Sequence, residues 1–122
     1  MARILIVEDD EGLLAMMQLV LQRAGYEVLT ATDGMEGIRQ ATQLKPEVVV
    51  LDLMMPWAAG DAVLGFIRAT RTLRNMRVVV VSAHPNAQQI AQQLGADCCL
   101  SKPVDMHVLT QQIKAVLGNG AG

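Results

Sequence analysis

The stretch Val48–Pro56, Val-Val-Val-Leu-Asp-Leu-Met-Met-Pro, decides the fold of this chain, because a continuously apolar run leads directly into a carboxylate. Four apolar residues without polar alternation are typical of a strand that is buried on both faces. A second run of this kind, four consecutive valines, occupies Val78–Val81. The two runs predict strands of a buried parallel sheet.

On both sides of these runs, short apolar segments alternate with longer stretches in which apolar residues recur at helical spacing. Further strands are predicted at Arg3–Val7, Glu27–Ala31 and Cys98–Ser101. The predicted helices span residues 13–24, 34–44, 60–72, 86–94 and 104–117. Five strand–helix repeats predict an α/β fold with a parallel sheet, helices on both faces and right-handed crossovers.

The composition fits one domain with an aliphatic core, since 52% of the 122 residues are hydrophobic and 2% are aromatic. We expect a domain at residues 1–118 and a flexible tail, or the start of a linker, at 119–122. A formal net charge of −2 predicts no binding to nucleic acid or to an anionic membrane. No stretch approaches the roughly 20 apolar residues of a membrane helix. The lack of such a stretch favours a cytoplasmic location, and so do the adjacent Cys98 and Cys99, which cannot form an ordinary structural disulfide.

Polar residues follow four of the five predicted strands. Glu8–Asp10 follow the first strand, Asp52 ends the third, Ser82 follows the fourth, and Lys102 follows the fifth. Ligands of an open parallel sheet bind beyond the carboxyl ends of its strands. We therefore expect these side chains to lie together at one edge of the sheet.

Several converging carboxylates need a cation, because their mutual repulsion would otherwise raise at least one pKa. Oxygen ligands without a His or Cys pair favour a hard ion, Mg²⁺ or Mn²⁺, over zinc. A carboxylate can attack phosphorus to form an acyl phosphate. Lys102 could then offset charge on the transferred oxygens, and Ser82 could donate a hydrogen bond to one of them.

In these motifs the chain resembles the receiver domains of two-component response regulators over essentially its whole length. The matching segments share their order and their placement after strands: residues 7–10, 51–56 with Gly60, 82–83, 95–97 and 102–103. The resemblance implies a flavodoxin-like, doubly wound five-stranded parallel sheet of order 2-1-3-4-5 with five helices. It also implies a signalling domain that catalyses only its own phosphorylation and dephosphorylation.

The resemblance assigns the acidic site position by position. Asp52 corresponds to the phosphoacceptor, and Asp9 to the direct acidic ligand of Mg²⁺. Glu8 corresponds to the acid that holds metal-bound water, and Met54 to the residue whose backbone carbonyl binds the metal. Asp10 is then a bystander, although the sequence alone allows Asp9 and Asp10 to exchange roles.

The resemblance also implies a switch and a set of partners. Ser82 matches the switch hydroxyl and Lys102 the lysine that pairs with phosphate, with a cis bond expected before Pro103. A histidine kinase or phosphotransfer protein is the expected donor. The output protein, which the sequence does not identify, is expected on the face formed by the fourth helix, fifth strand and fifth helix.

Several positions depart from the family pattern. Cys99 stands where the family usually has the aromatic switch residue, which puts signal propagation in doubt, and Val104 replaces the common Phe. Met54 offers no group that orients water and His84 flanks the switch, so we predict slow hydrolysis of the acyl phosphate. Residues 86–96 carry no charge, which favours an adaptor over a winged-helix transcription regulator.

Three other functions compete with this interpretation. A flavin-binding module is disfavoured because the acids after the first strand would repel phosphate. An aspartyl phosphatase is disfavoured because Met54 stands where a second Asp is typical. A degenerate receiver that docks proteins without phosphorylation is disfavoured because its acids and lysine are intact. The sequence leaves open whether the chain is a stand-alone receiver or a piece of a larger regulator or hybrid kinase.

Overall fold

The computed structural model describes the backbone of residues 2–55 and 59–121, and side chains as far as residue 118. Its strands are β1 Arg3–Val7, β2 Glu27–Ala31, β3 Val48–Leu51, β4 Arg77–Ser82 and β5 Cys98–Ser101. Its helices are α1 Glu11–Arg23, α2 Gly34–Leu44, α3 Gly60–Ala69, α4 Ala87–Leu94 and α5 Met106–Ala121. All neighbouring strands pair in parallel, in the order β2-β1-β3-β4-β5. This confirms the predicted doubly wound, flavodoxin-like fold.

The sheet separates two hydrophobic cores, because successive residues of a strand point to opposite faces. Leu5, Val49 and Val78 belong to the core that also contains buried residues of α2, α3 and α4. Ile4 and Val48 belong to the core that contains buried residues of α1 and α5. Every residue of β3 is at most 1% exposed, so the uninterrupted apolar run is buried on both faces as predicted.

Four helices differ from their predicted bounds, namely α1, α3, α4 and α5, and local contacts or backbone geometry explain the differences at α3 and α5. The backbone of Thr70 is extended (φ −94°, ψ 118°), which ends α3 at Ala69 rather than at residue 72. α5 begins at Met106 rather than at residue 104, because the Asp105 carboxylate accepts the N–H groups of His107 and Val108.

The same helix continues to Ala121, past the predicted end at residue 117, while the flexibility of residues 119–122 stays a prediction. Across residues 2–55 and 59–121, α5 included, no helix combines the length and apolar character needed to cross a membrane.

Candidate functional site

The carboxyl end of the sheet brings three buried polar side chains together. Glu8 is 1% exposed, Asp52 4% and Ser82 1%, although carboxylates and hydroxyls are rarely buried this completely. Backbone hydrogen bonds continue the sheet past the strand ends, since the Asp52 N–H donates to the Val7 carbonyl (3.1 Å). The Lys102 N–H likewise donates to the Ser82 carbonyl (3.1 Å), which carries Lys102 to the same edge.

Lys102 links the two buried carboxylates. Its Nζ donates to Asp52 Oδ2 at 2.9 Å and lies 2.8 Å from Glu8 Oε1. The contact with Glu8 is an ion pair, and Oε1 has no polar partner besides this ammonium among the described residues. Glu8 therefore keeps a buried oxygen with unused capacity for a ligand.

Three carboxylates form a compact cluster, and two of them contact this lysine. One oxygen from each of Glu8, Asp9 and Asp52 lies within 4.8 Å of the others. Asp10 has a different task, because its Oδ1 accepts the Leu13 N–H (3.1 Å) and caps α1. The geometry thus distinguishes the two neighbouring aspartates, which the sequence could not do.

The electrostatics of the cluster show a shortage of positive charge. Burial raises the pKa of Glu8, and this effect outweighs the contact with Lys102 and the Asp10 N–H, which lower it. Burial lowers the pKa of Lys102, but its contacts with Glu8 and Asp52 prevail and raise it. These contacts favour the ammonium form of Lys102, while burial disfavours the ionised form of Glu8 in the absence of a further cation.

The residues present fit a divalent cation. Three carboxylates against one ammonium leave two negative charges in excess, and the buried Glu8 Oε1 has a free lone pair. Oxygen donors of this kind suit Mg²⁺ or Mn²⁺. The acidic set Glu8, Asp9 and Asp52 is therefore brought together as the sequence predicted, while the role of each residue as a ligand stays a prediction.

The remaining predicted site residues lie around this cluster. The Met54 N–H donates to Asp52 Oδ1 (3.0 Å), while its predicted carbonyl ligation stays a prediction. Ser82 ends β4, the strand beside β3, and Cys99 lies on β5, partly buried and away from the acids. The Lys102–Pro103 bond is cis, as predicted.

Gly60 has a structural role that the sequence showed only as part of a motif. A Cβ at this position would lie 2.0 Å from the Asp52 carbonyl oxygen and 2.6 Å from the Leu53 Cα. The Gly60 N–H also donates to the Leu53 carbonyl (3.1 Å). Only glycine allows α3 to start this close to the acceptor residue. Pro56, part of the same motif, lies outside the described residues.

Comparison with known proteins identifies the same family from the whole sequence. The model of the response regulator receiver domain matches residues 4–114. The transcriptional regulatory protein PrrA of Mycobacterium tuberculosis is 38% identical over 117 residues, which is 94% of this chain and 49% of the relative. The alkaline phosphatase synthesis transcriptional regulatory protein PhoP of Bacillus subtilis is 31% identical over 115 residues, 94% of this chain and 48% of the relative. The chain spans about half the length of these relatives.

Solved structures agree with this assignment. The chemotaxis protein CheY4 of Vibrio cholerae superimposes with a TM-score of 0.88 and 29% identity, covering 95% of this chain and 98% of that one. A CheY-like receiver domain protein of Methanospirillum hungatei gives a TM-score of 0.90 with 27% identity, covering 98% and 95%. The fold, the acidic cluster and the matched sequence agree, and the chain belongs to the family of response regulator receiver domains.

Proposed function

We propose that this receiver domain takes a phosphoryl group onto Asp52 from the phosphohistidine of a kinase or phosphotransfer protein, with Mg²⁺ (or Mn²⁺) bound by the acidic cluster. The modified domain then changes its binding to an output partner. The observation that carries the proposal is the convergence of a buried Asp52, the Lys102 ammonium 2.9 Å away, and two further acids within 4.8 Å. A site that serves only the fold would have no use for this excess of negative charge.

The proposed step is a direct displacement at phosphorus. An Asp52 carboxylate oxygen forms a bond to phosphorus, the bond from phosphorus to the donor's imidazole nitrogen breaks, and that nitrogen keeps the electron pair. The Met54 N–H holds Asp52 Oδ1, which fixes the orientation of the carboxylate. Lys102, already beside Oδ2, pairs with the oxygens of the transferred group.

Metal binding in this proposal uses the residues that the cluster already holds together. Glu8, Asp9 and Asp52 supply the carboxylates, and the Met54 carbonyl is proposed as a further ligand. A bound divalent cation supplies charge neutralisation for the transferring oxygens. Burial of Glu8 and Asp52 strengthens these electrostatic interactions, because little water screens them.

The surroundings of the site support a protein rather than a small molecule as donor. A hollow of about 540 Å³ opens beside Lys102 and is lined by Asp10, Leu13, Met16, Ala83, Pro103, Val104 and Met106. Met16 is 54% exposed and Met54, which contacts Asp52, is 53% exposed, so large apolar side chains lie on the surface beside the charged centre. Flexible methionines on an exposed rim are typical of surfaces that contact other proteins.

The output of the whole protein is part of the proposal. The relatives above are named as transcription regulators, and the chain spans about half their length. The uncharged fourth helix had favoured an adaptor instead, and that choice stays a prediction. In either case we propose that the output partner contacts α4, β5 and α5.

The test is phosphorylation by a small donor, followed as intact mass. The protein is incubated with Mg²⁺ and acetyl phosphate, beside Asp52→Asn and the control Asp61→Asn, an exposed aspartate on α3. We expect one phosphoryl group on the unmodified chain and on Asp61→Asn, and none on Asp52→Asn or in EDTA. Absence of the adduct, also with a panel of phosphorylated histidine kinases, would favour a docking module that works without phosphorylation.

A further inference from the structure

We propose that a hollow at the amino end of the sheet binds a free α-amino acid with an apolar side chain. The hollow has a volume of about 350 Å³ and lies between the start of β3, the start of β4 and the last turns of α5. Pockets for small ligands begin at about this size and combine apolar walls with a few polar groups that fix orientation. The hollow is at the opposite end of the sheet from Asp52, so this inference is independent of the proposed phosphorylation.

The floor of the hollow is apolar and comes from two separate parts of the chain. Leu73 and Met76, between α3 and β4, line it and belong to the core of α2, α3 and α4. Val116 and Leu117 line it from α5 and are only partly buried against the opposite core. Because apolar surface that is left in contact with water favours burial, this floor suits a branched aliphatic side chain.

The rim of the hollow carries charges of both signs, with cations from Lys45 and Arg77 and a carboxylate from Glu47. Within residues 2–55 and 59–118, none of the three takes part in an ion pair. Glu47 Oε2 accepts the Arg3 N–H (2.8 Å), while Oε1 accepts no hydrogen bond from the described residues. Both cations and one carboxylate oxygen are therefore available to a ligand. Unlike the buried acids beside Lys102, these groups are at least partly exposed, so the folded state does not require the ligand.

The backbone fixes where these charges lie. Lys45 directly follows α2 in the left-handed conformation (φ 46°, ψ 62°), which favours Gly or Asn. A lysine at such a position is not explained by the backbone, and its side chain lines the hollow. The Arg77 N–H donates to the Glu47 carbonyl (3.1 Å), and the Glu47 N–H donates to the Arg3 carbonyl (2.9 Å). The sheet thus holds the acid and one cation at neighbouring strand starts.

A zwitterionic ligand matches this arrangement of charges. Its carboxylate pairs with Lys45 and Arg77, its ammonium pairs with the free Glu47 oxygen, and its side chain covers the apolar floor. An anion without an ammonium leaves the Glu47 charge beside it uncompensated. A cation without a carboxylate meets two like charges on the rim. The chemical class that uses every charged group of the hollow is therefore an α-amino acid with an aliphatic side chain.

The experiment is an NMR titration of the backbone N–H groups with leucine and three matched probes. Isocaproate is leucine without the ammonium, isoamylamine is leucine without the carboxylate, and glycine lacks the apolar side chain. Leucine is expected to shift the signals of residues 72–77 and 116–117 saturably, with a Kd of about 1–10 mM for a ligand of this size. Isocaproate and isoamylamine should each bind about five- to tenfold more weakly. Glycine should give no saturable shift.

Two variants assign the charges to the two ends of the ligand. Glu47→Gln keeps an oxygen for the Arg3 N–H but removes the charge, so it should weaken leucine and not isocaproate. Lys45→Gly suits the left-handed backbone and removes a cation, so it should weaken leucine and isocaproate but not isoamylamine. Arg74→Gln, exposed on the turn before β4 but outside the lining of the hollow, is the matched control and should change none of the affinities.

Three results overturn the proposal. The first is the absence of saturable shifts around the hollow with leucine. The second is isocaproate binding as tightly as leucine, which would make the hollow a site for anions in general. The third is an equal affinity for leucine in Glu47→Gln and Arg74→Gln. The titration needs no phosphoryl group and should give the same affinity in Asp52→Asn, so its outcome is separate from that of the phosphorylation test.

Discussion

The two ends of the β-sheet use charged residues in opposite ways. At the amino end of β4, Arg68 donates to three backbone carbonyls and pairs with Asp97, whose carboxylate also accepts the Val78 N–H. At the carboxyl end, one ammonium pairs with two of three clustered acids, and the buried Glu8 Oε1 has no other polar partner among the described residues.

This difference distinguishes charged groups that stabilise the fold through contacts within the protein from charged groups that still have capacity to bind a ligand. A charged group that uses most of its hydrogen-bonding capacity stabilises the segments it contacts, as Arg68 does for the connection between α4 and β5. A buried carboxylate with unused capacity is costly for the folded state, unless a cation or another partner completes it. The carboxyl end is thus the part of the molecule that a ligand can change most.

Removing the shared ammonium should have the largest effect on this end. Lys102→Ala leaves the acids of the cluster without their cation, and the phosphoryl oxygens without a partner. We expect the rate of phosphorylation by acetyl phosphate to fall by about 10²–10³-fold, as for other losses of a preorganised charge. Lys114→Ala, an exposed lysine on α5, is the matched control, and equal rates in the two variants would contradict the assignment of Lys102.

Two glycines of α3 test how closely the fold approaches the site. Gly60→Ala places a methyl group against the Asp52 carbonyl, whereas a Cβ at Gly65 meets nothing within 4 Å. We expect urea unfolding to show a loss of about 2 kcal/mol for Gly60→Ala through overpacking. Gly65→Ala should gain up to about 1 kcal/mol from helix propensity. Equal changes would mean that α3 can shift away from the acceptor.

Most of the fold could be predicted because its signals are local. The apolar runs Val48–Leu51 and Val78–Val81 are too short for a helix, which needs at least about 10 residues. Each run is followed by a polar residue that lies at the edge of the sheet. The same strand pattern placed Asp52, Ser82 and Lys102 at strand ends, and the structure finds them there. Strand bounds at β1, β2, β3 and β5 agree with the prediction for the same reason.

What the sequence could not show depends on the direction of side chains and on how separate segments meet in space. The side chain of Asp10 turns to cap α1 and stays out of the acidic cluster, and the sequence of two adjacent aspartates does not reveal this direction. The contact of Gly60 with the Asp52 carbonyl depends on how residues 52–60 return to the sheet. Arg68 contacts the Gly95 carbonyl and the Asp97 carboxylate, which lie 27 and 29 positions further along the chain, so its role in holding these segments could not be read from its sequence neighbours.

The adjacent aspartates make a sharper test within the carboxyl end. Asp9→Asn removes one carboxylate charge from the cluster, whereas Asp10→Asn keeps an efficient N-cap for α1. We expect calorimetric titration with Mg²⁺ to show at least the roughly tenfold loss of affinity typical of disturbed metal sites for Asp9→Asn. Asp10→Asn should change little. The reverse result would exchange the roles of the two residues.

The smallest expected effect is a change of folding stability with pH, tested at one acid from each end of the sheet, Glu8 and Asp97. Burial raises the pKa of Glu8, so in EDTA the folded protein retains a proton that the unfolded chain releases above about pH 4.5. The stability that this group contributes is complete below the unfolded pKa and is lost as pH rises through the raised folded pKa. The raised pKa of Lys102 acts only above 10.5 and adds no slope at neutral pH.

Urea unfolding between pH 4.5 and 8 should therefore show a decline with rising pH that Glu8→Gln removes, leaving this variant the more stable at pH 8. Asp97→Asn should instead lose up to about 1 kcal/mol, because it breaks a partly exposed ion pair with Arg68. Mg²⁺ should abolish the decline of stability with rising pH, since it supplies the positive charge that an ionised Glu8 requires. It should leave the loss of stability in Asp97→Asn unchanged. A Glu8→Gln variant that is less stable than the parent protein in EDTA would show that Lys102 alone satisfies the buried carboxylate.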